Sequence, residues 1–327
     1  MLSSPPVSVI ICAYNADKYI TNTINSILQQ TYANIEVLIL DDASTDSTPK
    51  IIEKAAVLDS RIRHIRNSEN KGIAYVRQMG LENAKYDWVL FIDADDLACH
   101  DMIEKQIEVL VKDPNLIAVG TYAYYIGEDD NKILGFMKIG PKTREEYFYF
   151  HRNNKLIFLP ITTLCSRKLA LQVGGYRVDG FPDNYPIRLQ DFCEDLDLCC
   201  RLSDLGAEGK YMITIPEPLF YYRKRMGSLS TQNIFYMQSK IRWIKDCLLR
   251  RRSQGSERSY EEYIKSISPL KKLNHLRLDY AAFYYRKAGF AYINKEYLKF
   301  ISLLFLVIVL NPKYIMDKVR TQKFARQ

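Results

Sequence analysis

The chain has 327 residues, 47% hydrophobic and 26% charged, close to the globular average. That excludes a disordered or fibrous polypeptide and allows one large domain or two ordinary ones. Its 46 Lys and Arg outweigh 38 Asp and Glu by +8, but unevenly: residues 241–327 hold 19 basic and 7 acidic side chains, residues 1–240 hold 27 and 31. A mildly acidic body with a strongly basic tail points to a catalytic or binding unit whose tail meets anions, either phospholipid or nucleic acid.

The seven Cys are odd in number and no pair has C-x-x-C spacing, which excludes a zinc ribbon or dithiol redox site. Cys12, Cys165 and Cys193 sit in apolar runs, so buried free thiols in a reducing compartment are expected. The opening MLSSPPVSVII lacks the basic start of a secretory signal. The longest mainly apolar run, Phe300 to Leu310, is eleven residues, against roughly 20 for a spanning helix. A cytoplasmic, non-spanning protein is expected.

In chain order, Val7–Cys12 reads as a β-branched strand and 17–30 as a helix with Ile20, Ile24, Ile27 and Leu28 at helical spacing. Ile35–Leu40 is a second strand. A helix over about 47–58, a strand over 61–66, a helix over about 73–84 and the strand Asp87–Ile92 follow. This rhythm predicts a mostly parallel sheet with helices on its faces. The middle, 115–225, offers strand-like pieces at 116–126, 133–139, 156–165 and 211–215, and a helix over about 194–205. The last 90 residues carry helical periodicity, with Arg250-Arg251-Arg252-Ser-Gln-Gly-Ser as an exposed loop and 281–312 as a helical hairpin with a Gly turn and an Asn-Pro stop. A soft boundary is expected near 235.

Ligands of open parallel sheets bind beyond the carboxyl ends of the strands, which directs attention to 13–17 (AYNAD), 41–48 (DDASTDST) and 93–96 (DADD). Residues 13–18 contain no glycine and no Walker loop is present, so neither a dinucleotide fold nor a glycine-rich phosphate loop is expected. Asp93 and Asp95, two apart, point the same way on an extended chain and make a partial cage for Mg²⁺ or Mn²⁺ that leaves positions for water and phosphate; the alternative is a solvated acidic turn. An EF-hand is excluded because Leu97 stands at the fifth position. Asp46 or Ser47 can cap the next helix, leaving Asp41 and Asp42 for other work, such as accepting an imide N–H of uracil, with Tyr14 as a stacking ring.

With these residues in view, the strings PPVSVIICAYNADKYI, IEVLILDDASTDST, NKGIAYVRQMGLENAKYDWVLFIDADD, VGGY at 173–176, EDLDLCCRL at 194–202 and YYRKRMGSLS at 221–230 resemble, in order and spacing, the family 2 glycosyltransferases, which have the GT-A fold. The resemblance covers residues 5 to about 230. It implies a GT-A domain over 1–235, with a nucleotide-binding half of about 1–100 and an acceptor half of 101–235, followed by a basic helical region at 236–327. It implies inverting transfer of a sugar from a nucleotide-diphosphate donor, UDP above all, to a hydroxyl of a glycan or lipid-linked acceptor, as in surface polysaccharide synthesis.

The resemblance also implies roles by position. Ala13, Tyr14 and Asn15 match the loop over base and ribose, with Asp17 nearby. Asp41 matches the uracil reader, with Asp42 beside it. Lys71, Gly72 and Arg77 match the diphosphate segment. Asp93, Ala94 and Asp95 match the metal-binding D-x-D, extended by Asp96. Gly174 and Gly175 match a glycine pair lining the sugar and acceptor cleft, and Asp195 matches the general base. Where many members carry a His two residues after Tyr222-Arg223, this chain has Arg225, either a cation for the diphosphate or part of a solvated basic loop.

The basic, aromatic tail at 290–327 suits either packing on the body or a partner, or peripheral contact with the inner face of a membrane. No nucleic acid is expected, since the tail's aromatics fall at packing spacing. The rival readings are a non-catalytic protein of the same fold that binds through its tail, and a sugar-nucleotide pyrophosphorylase, which would need a glycine-rich basic loop after the first strand.

Overall fold

The computed structural model describes residues 4–128, 130, 132–159, 162–182, 185–225 and 233–315. The string at 226–230 and the basic residues Lys318, Arg320, Lys323 and Arg326 of the tail lie outside the described residues. Contacts divide the chain into two compact units: residues 1–124, 138–179 and 194–223, and residues 125–137, 180–193 and 224–327.

The first unit is built on β1 (Val7–Ala13), β2 (Ile35–Asp41), β3 (Ile62–Arg66) and β4 (Trp88–Asp93), all parallel, with α1 (Ile20–Leu28), α2 (Thr48–Leu58) and α3 (Ile73–Asn83) as crossovers. Every residue of β1 and β2 is buried, as expected for parallel strands covered on both faces. The α1 side chains Ile20, Ile24 and Ile27 are buried, and Pro49 opens α2 where its missing N–H costs nothing.

The sheet then turns mixed. Its order is β3-β2-β1-β4-β8-β6-β9-β5, with β5 (Leu97–Ala98), β6 (Leu116–Ile126), β8 (Leu164–Ser166) and β9 (Tyr211–Arg223). Strand β8 runs antiparallel to β4, a join held by Asp87, whose carboxylate accepts from Ser166 Oγ at 3.1 Å and Lys168 N at 2.7 Å. Helices α4 (Met102–Leu110), α5 (Arg144–Arg152), α6 (Arg167–Gln172) and α7 (Glu194–Leu202) complete this unit. Three of these, α4, α5 and α6, stand where no helix was expected, and of the expected 156–165 strand only Leu164 and Cys165 are in a strand among the described residues.

The second unit holds β7 (Ile133–Met137), α8 (Ile234–Arg252), α9 (Tyr260–Ser266), α10 (Pro269–Ile293) and α11 (Tyr297–Leu310). Trp243, Ile244, Cys247 and Leu248 bury one side of α8. Three expectations change here. Arg250, Arg251 and Arg252 form the last turn of α8 and not a loop, with Arg250 paired to Asp246 at 2.9 Å and Arg251 to Glu257. The hairpin turns at Asn294–Glu296 through Lys295 (φ 62°), while Gly289 lies inside α10. All seven Cys are free, and Cys193 is half-buried where burial was expected.

Candidate functional site

Strand register assembles the acidic tips. Ala13 pairs with Asp41, Cys12 with Asp93, and Asp41 with Arg66. These residues therefore stand side by side at the carboxyl edge of the parallel strands.

The loops after β1 and β2 are laced together. Asn15 N donates to Ser44 Oγ at 2.9 Å, Thr45 N to Asn15 Oδ1 at 2.9 Å, Ala16 N to Thr48 Oγ1 at 2.8 Å and Asp17 N to Asp46 Oδ2 at 3.2 Å. Asn15 takes a positive φ of 48°, which its short polar side chain tolerates. Asp46 Oδ1 accepts from the N–H of Thr48, the first residue of α2, at 2.9 Å, while Ser47, the other expected capping residue, stands at the N-cap without a side-chain cap bond. Tyr14 and Asp17 remain exposed above this platform, and Ala13 is buried beneath it, its carbonyl accepting from Asp42 N.

Asp41 is wholly buried. It accepts from Ser44 N at 3.0 Å and faces Arg66 Nε at 3.1 Å. Its Oδ1 thus shapes the loop from below, while Oδ2, which faces Arg66, makes no hydrogen bond among the described residues. Asp42 organises the next segment, accepting from Asn67 Nδ2 at 2.7 Å, Lys71 N at 2.9 Å and Gly72 N at 2.8 Å. Gly72 ends this turn at φ 90° just before α3, a conformation that favours glycine. The Lys71 ammonium lies over the Tyr75 ring, 4.7 Å from its centroid.

Arg77 does not lie open along a channel. It is buried, and its guanidinium bridges Asp93 Oδ1 at 2.9 Å and a carboxylate oxygen of Glu194, the first residue of α7. Burial opposes the charge, but Glu194 and then Asp93 override it and push the Arg77 pKa further up. The clasp ties the tip of β4 to the helix that carries Asp195.

The D-x-D turn is fixed on its other side. Thr23 Oγ1 donates to the Ala94 and Asp96 carbonyls, each at 2.9 Å. Asp96 is buried and accepts from Arg223 N at 2.8 Å, while Arg223 Nε donates to the Asp95 carbonyl at 2.7 Å. Burial and then the Asp95 and Asp93 charges raise the Asp96 carboxyl well above the ordinary range. Asp96 is therefore a brace rather than a third ligand. Arg223 is buried over the Tyr19 ring. Arg225 belongs to the second unit.

Asp93 and Asp95 keep partial exposure at the strand tip. No group of three or more His, Cys, Asp or Glu suited to a metal occurs among the described residues. Two hard carboxylates fit Mg²⁺ or Mn²⁺ when water and phosphate oxygens supply the remaining positions.

Asp195 stands in the first turn of α7, its Oδ1 accepting from Leu196 N at 2.7 Å. It lines a cavity of about 30 Å³ with Phe91, Cys165, Tyr176, Leu198 and Cys199. Burial raises its carboxyl above the ordinary range, with the Arg77 charge pulling the other way. The same helix is anchored by Asp197, which accepts from Arg177 Nε at 3.0 Å and Arg201 Nη2 at 2.8 Å. Gly174 and Gly175 close α6, with Gly175 N donating to the Ala170 carbonyl. Gly175 has φ 58°, and a Cβ there would come within 2.1 Å of Gln78 Oε1. That oxygen receives Tyr176 N at 2.8 Å, so the pair's visible work is to seat Tyr176 beside Asp195.

Residues 8–173 match the family model described as glycosyl transferase family 2. The chain belongs to that family. It is 32% identical to an uncharacterized glycosyltransferase of Haemophilus influenzae over 68% of this chain and 67% of that protein. Two further glycosyltransferase relatives are matched over 49% and 42% of their own length.

Among solved structures, TarS of S. aureus in complex with UDP-GlcNAc superposes with a TM-score of 0.54 at 16% identity, over 95% of this chain and 92% of that one. The mannosyltransferase PcManGT from Pyrobaculum calidifontis, in complex with GDP-Man and Mn²⁺, gives 0.55 at 19% over 96% and 88%. The fold is GT-A. This family 2 enzyme is a glycosyltransferase, which removes the pyrophosphorylase and non-catalytic alternatives.

Nothing in the sequence itself marks Glu194, Arg66 or Arg223 for work at the site. Glu194 adjoins the expected base, and its acidic character in a first helical turn has an ordinary explanation in the helix dipole. Only the long-range contact with Arg77, 117 residues away, distinguishes it.

Proposed function

We propose that this glycosyltransferase is an inverting enzyme that moves a sugar, a hexosyl or N-acetylhexosaminyl group, from a UDP-sugar to a hydroxyl of a glycan or lipid-linked acceptor. The observation that carries the reading is the Arg77 clasp, which joins a donor-side carboxylate, Asp93, to the helix bearing Asp195. In this reading Tyr14 stacks on the base, and Ala13, Asn15 and Asp17 border the ribose. Asp41 and Asp42 hold that platform and the 67–72 turn in shape. Lys71 and the Gly72 turn border the diphosphate, and Gly174 and Gly175 border the sugar. Asp93 and Asp95 hold Mg²⁺ or Mn²⁺, which when bound offsets charge on the leaving diphosphate.

Asp195 acts as general base. The acceptor hydroxyl attacks the anomeric carbon on the face away from the diphosphate and gives its proton to the carboxylate, so no covalent intermediate with the protein forms and the anomeric configuration inverts. Three features of the site support the role: partial burial raises the carboxyl's proton affinity, Leu196 N fixes one oxygen, and Tyr176 lines the cavity beside it. UDP-GlcNAc and UDP bound to structural neighbours of the same fold support the choice of carrier. Residues 1–235 form the catalytic part and 236–327 a helical region in this reading. A cytoplasmic location follows, with peripheral contact at the inner face of a membrane through 290–327.

A panel of UDP-, GDP- and dTDP-sugars with Mn²⁺ or Mg²⁺ tests this. Donor hydrolysis or transfer with a UDP-sugar, lost in Asp95→Asn and Asp195→Asn, is the expected result. Turnover indifferent to both substitutions contradicts it.

A further inference from the structure

The helix α11 has its apolar residues on the wrong side for a helix that only packs on its own chain. Of its residues only Val307 is buried. Leu298 is 87% exposed, Ile301 62% and Phe305 63%, and Ile308 and Val309 are exposed with them. Positions 298, 301, 305, 308 and 309 follow the three-to-four residue spacing of one helical face. An outward stripe of large aliphatic and aromatic side chains is a docking surface and not an ordinary solvated face.

What surrounds the stripe decides its occupant. Residues 269–315 carry eight Lys or Arg against two acids, Asp279 and Glu296. Asp279 is neutralised by Arg242 at 2.6 Å and Glu296 by Lys299 at 2.6 Å. Exposed Tyr292 and Tyr297 flank the turn before α11, with Lys295 between them. Leu270, Leu273 and Leu276 add exposed apolar surface on α10 beside Lys271, Lys272 and Arg277. Aromatics and long cationic side chains bordering an apolar face are the pattern of a helix lying at a lipid interface. A second copy would instead oppose the same cationic rims. At 14 residues α11 is about 21 Å long, short of the roughly 30 Å hydrocarbon core, and no helix among the described residues is long and apolar enough to cross a membrane.

We propose that α11 embeds in the plane of an anionic lipid surface through Leu298, Ile301, Phe305 and Val309, with Lys295 and Lys313 meeting the headgroups. This deepens the peripheral contact of the function proposed above by naming the lipid chemistry and the inserting residues.

The test uses the full chain with vesicles of phosphatidylcholine alone or mixed with phosphatidylglycerol, followed by sedimentation. UDP binding is measured on the same samples. The expected result is binding to the anionic vesicles only, weakened by salt. Each of Lys295→Gln and Lys313→Gln should weaken it about fivefold. Binding should be lost in the Leu298→Ser/Ile301→Ser/Phe305→Ser variant, which touches exposed positions and should keep its melting temperature and its UDP binding. Equal binding to neutral vesicles, no binding by the parent chain, or survival of binding in the triple variant overturns the inference. A monomer-to-dimer change governed by the triple variant, without vesicle binding, overturns it in favour of a copy-to-copy interface. Loss of UDP binding by the parent chain bears on the sugar-transfer reading alone, so the two failures are separable.

Discussion

In the proposed role of general base, Asp195 must be ionised to take a proton, and burial works against ionisation. Raised proton affinity brings a carboxylate closer to its task, since a base poised nearer the working pH transfers protons more effectively. The sign follows directly: below the raised pKa the carboxyl is protonated and inactive, so kcat/KM climbs with pH through a midpoint above the ordinary carboxylate value. A pH profile of transfer should show that acid limb, and Asp195→Asn should abolish the limb while lowering kcat about 10²–10⁴-fold. A rate that stays flat well below the ordinary carboxylate range contradicts the role.

Arg77 makes a second residue-scale prediction. Removing one partner of a buried ion pair leaves a charge without compensation, so Arg77→Met should cost about 3–5 kcal/mol of stability, read from urea unfolding. Glu194→Gln keeps the shape and removes one charge, leaving Asp93 to balance Arg77 alone. The Mn²⁺ concentration for half-maximal transfer should then rise, while an Asp59→Asn control far along β3's loop should leave it unchanged.

At the scale of elements, the α6 terminus separates backbone strain from crowding. Gly175 and Gly209 both have positive φ, 58° and 81°, but only a Cβ at Gly175 meets a neighbour, Gln78. Gly209→Ala should cost about 1–2 kcal/mol, the left-handed penalty alone. Gly175→Ala should cost more, and Gln78→Ala should recover part of the difference in a double-mutant cycle. Equal costs at both glycines contradict the packing account. The parallel strands and their crossovers were legible because β-branched runs such as VSVIICA and IEVLIL alternate with Ile-spaced helices. Helix α5 was not: REEYFYFHR is polar and aromatic, with no run of aliphatic residues to mark a buried face, and it forms on the Thr143 cap, which accepts from Glu146 N at 3.2 Å. The hairpin turn was misread at Gly289 because glycine is the usual turn signal, whereas Lys295 takes the positive φ.

At the scale of the molecule, the order of motifs carried the family and the acidic strand tips, because chain order and strand order together force Ala13, Asp41 and Asp93 to one edge. The roles inside that edge were less legible. In the sequence Asp41 reads as the uracil reader and Asp96 as an extension of the D-x-D; that both are buried was not legible, since they meet Arg66 and Arg223, which lie 25 and 127 residues away. The charge asymmetry was legible as well, and it concentrates on the unit that exposes the apolar face of α11.

The most direct test of the account is calorimetric titration of the intact chain with UDP, with and without Mn²⁺. The predicted result is binding that strengthens with Mn²⁺, is weakened by Asp93→Asn and Asp95→Asn, and is retained by Asp195→Asn. Absence of UDP binding, or binding that ignores both the cation and the two strand-tip carboxylates, would contradict it.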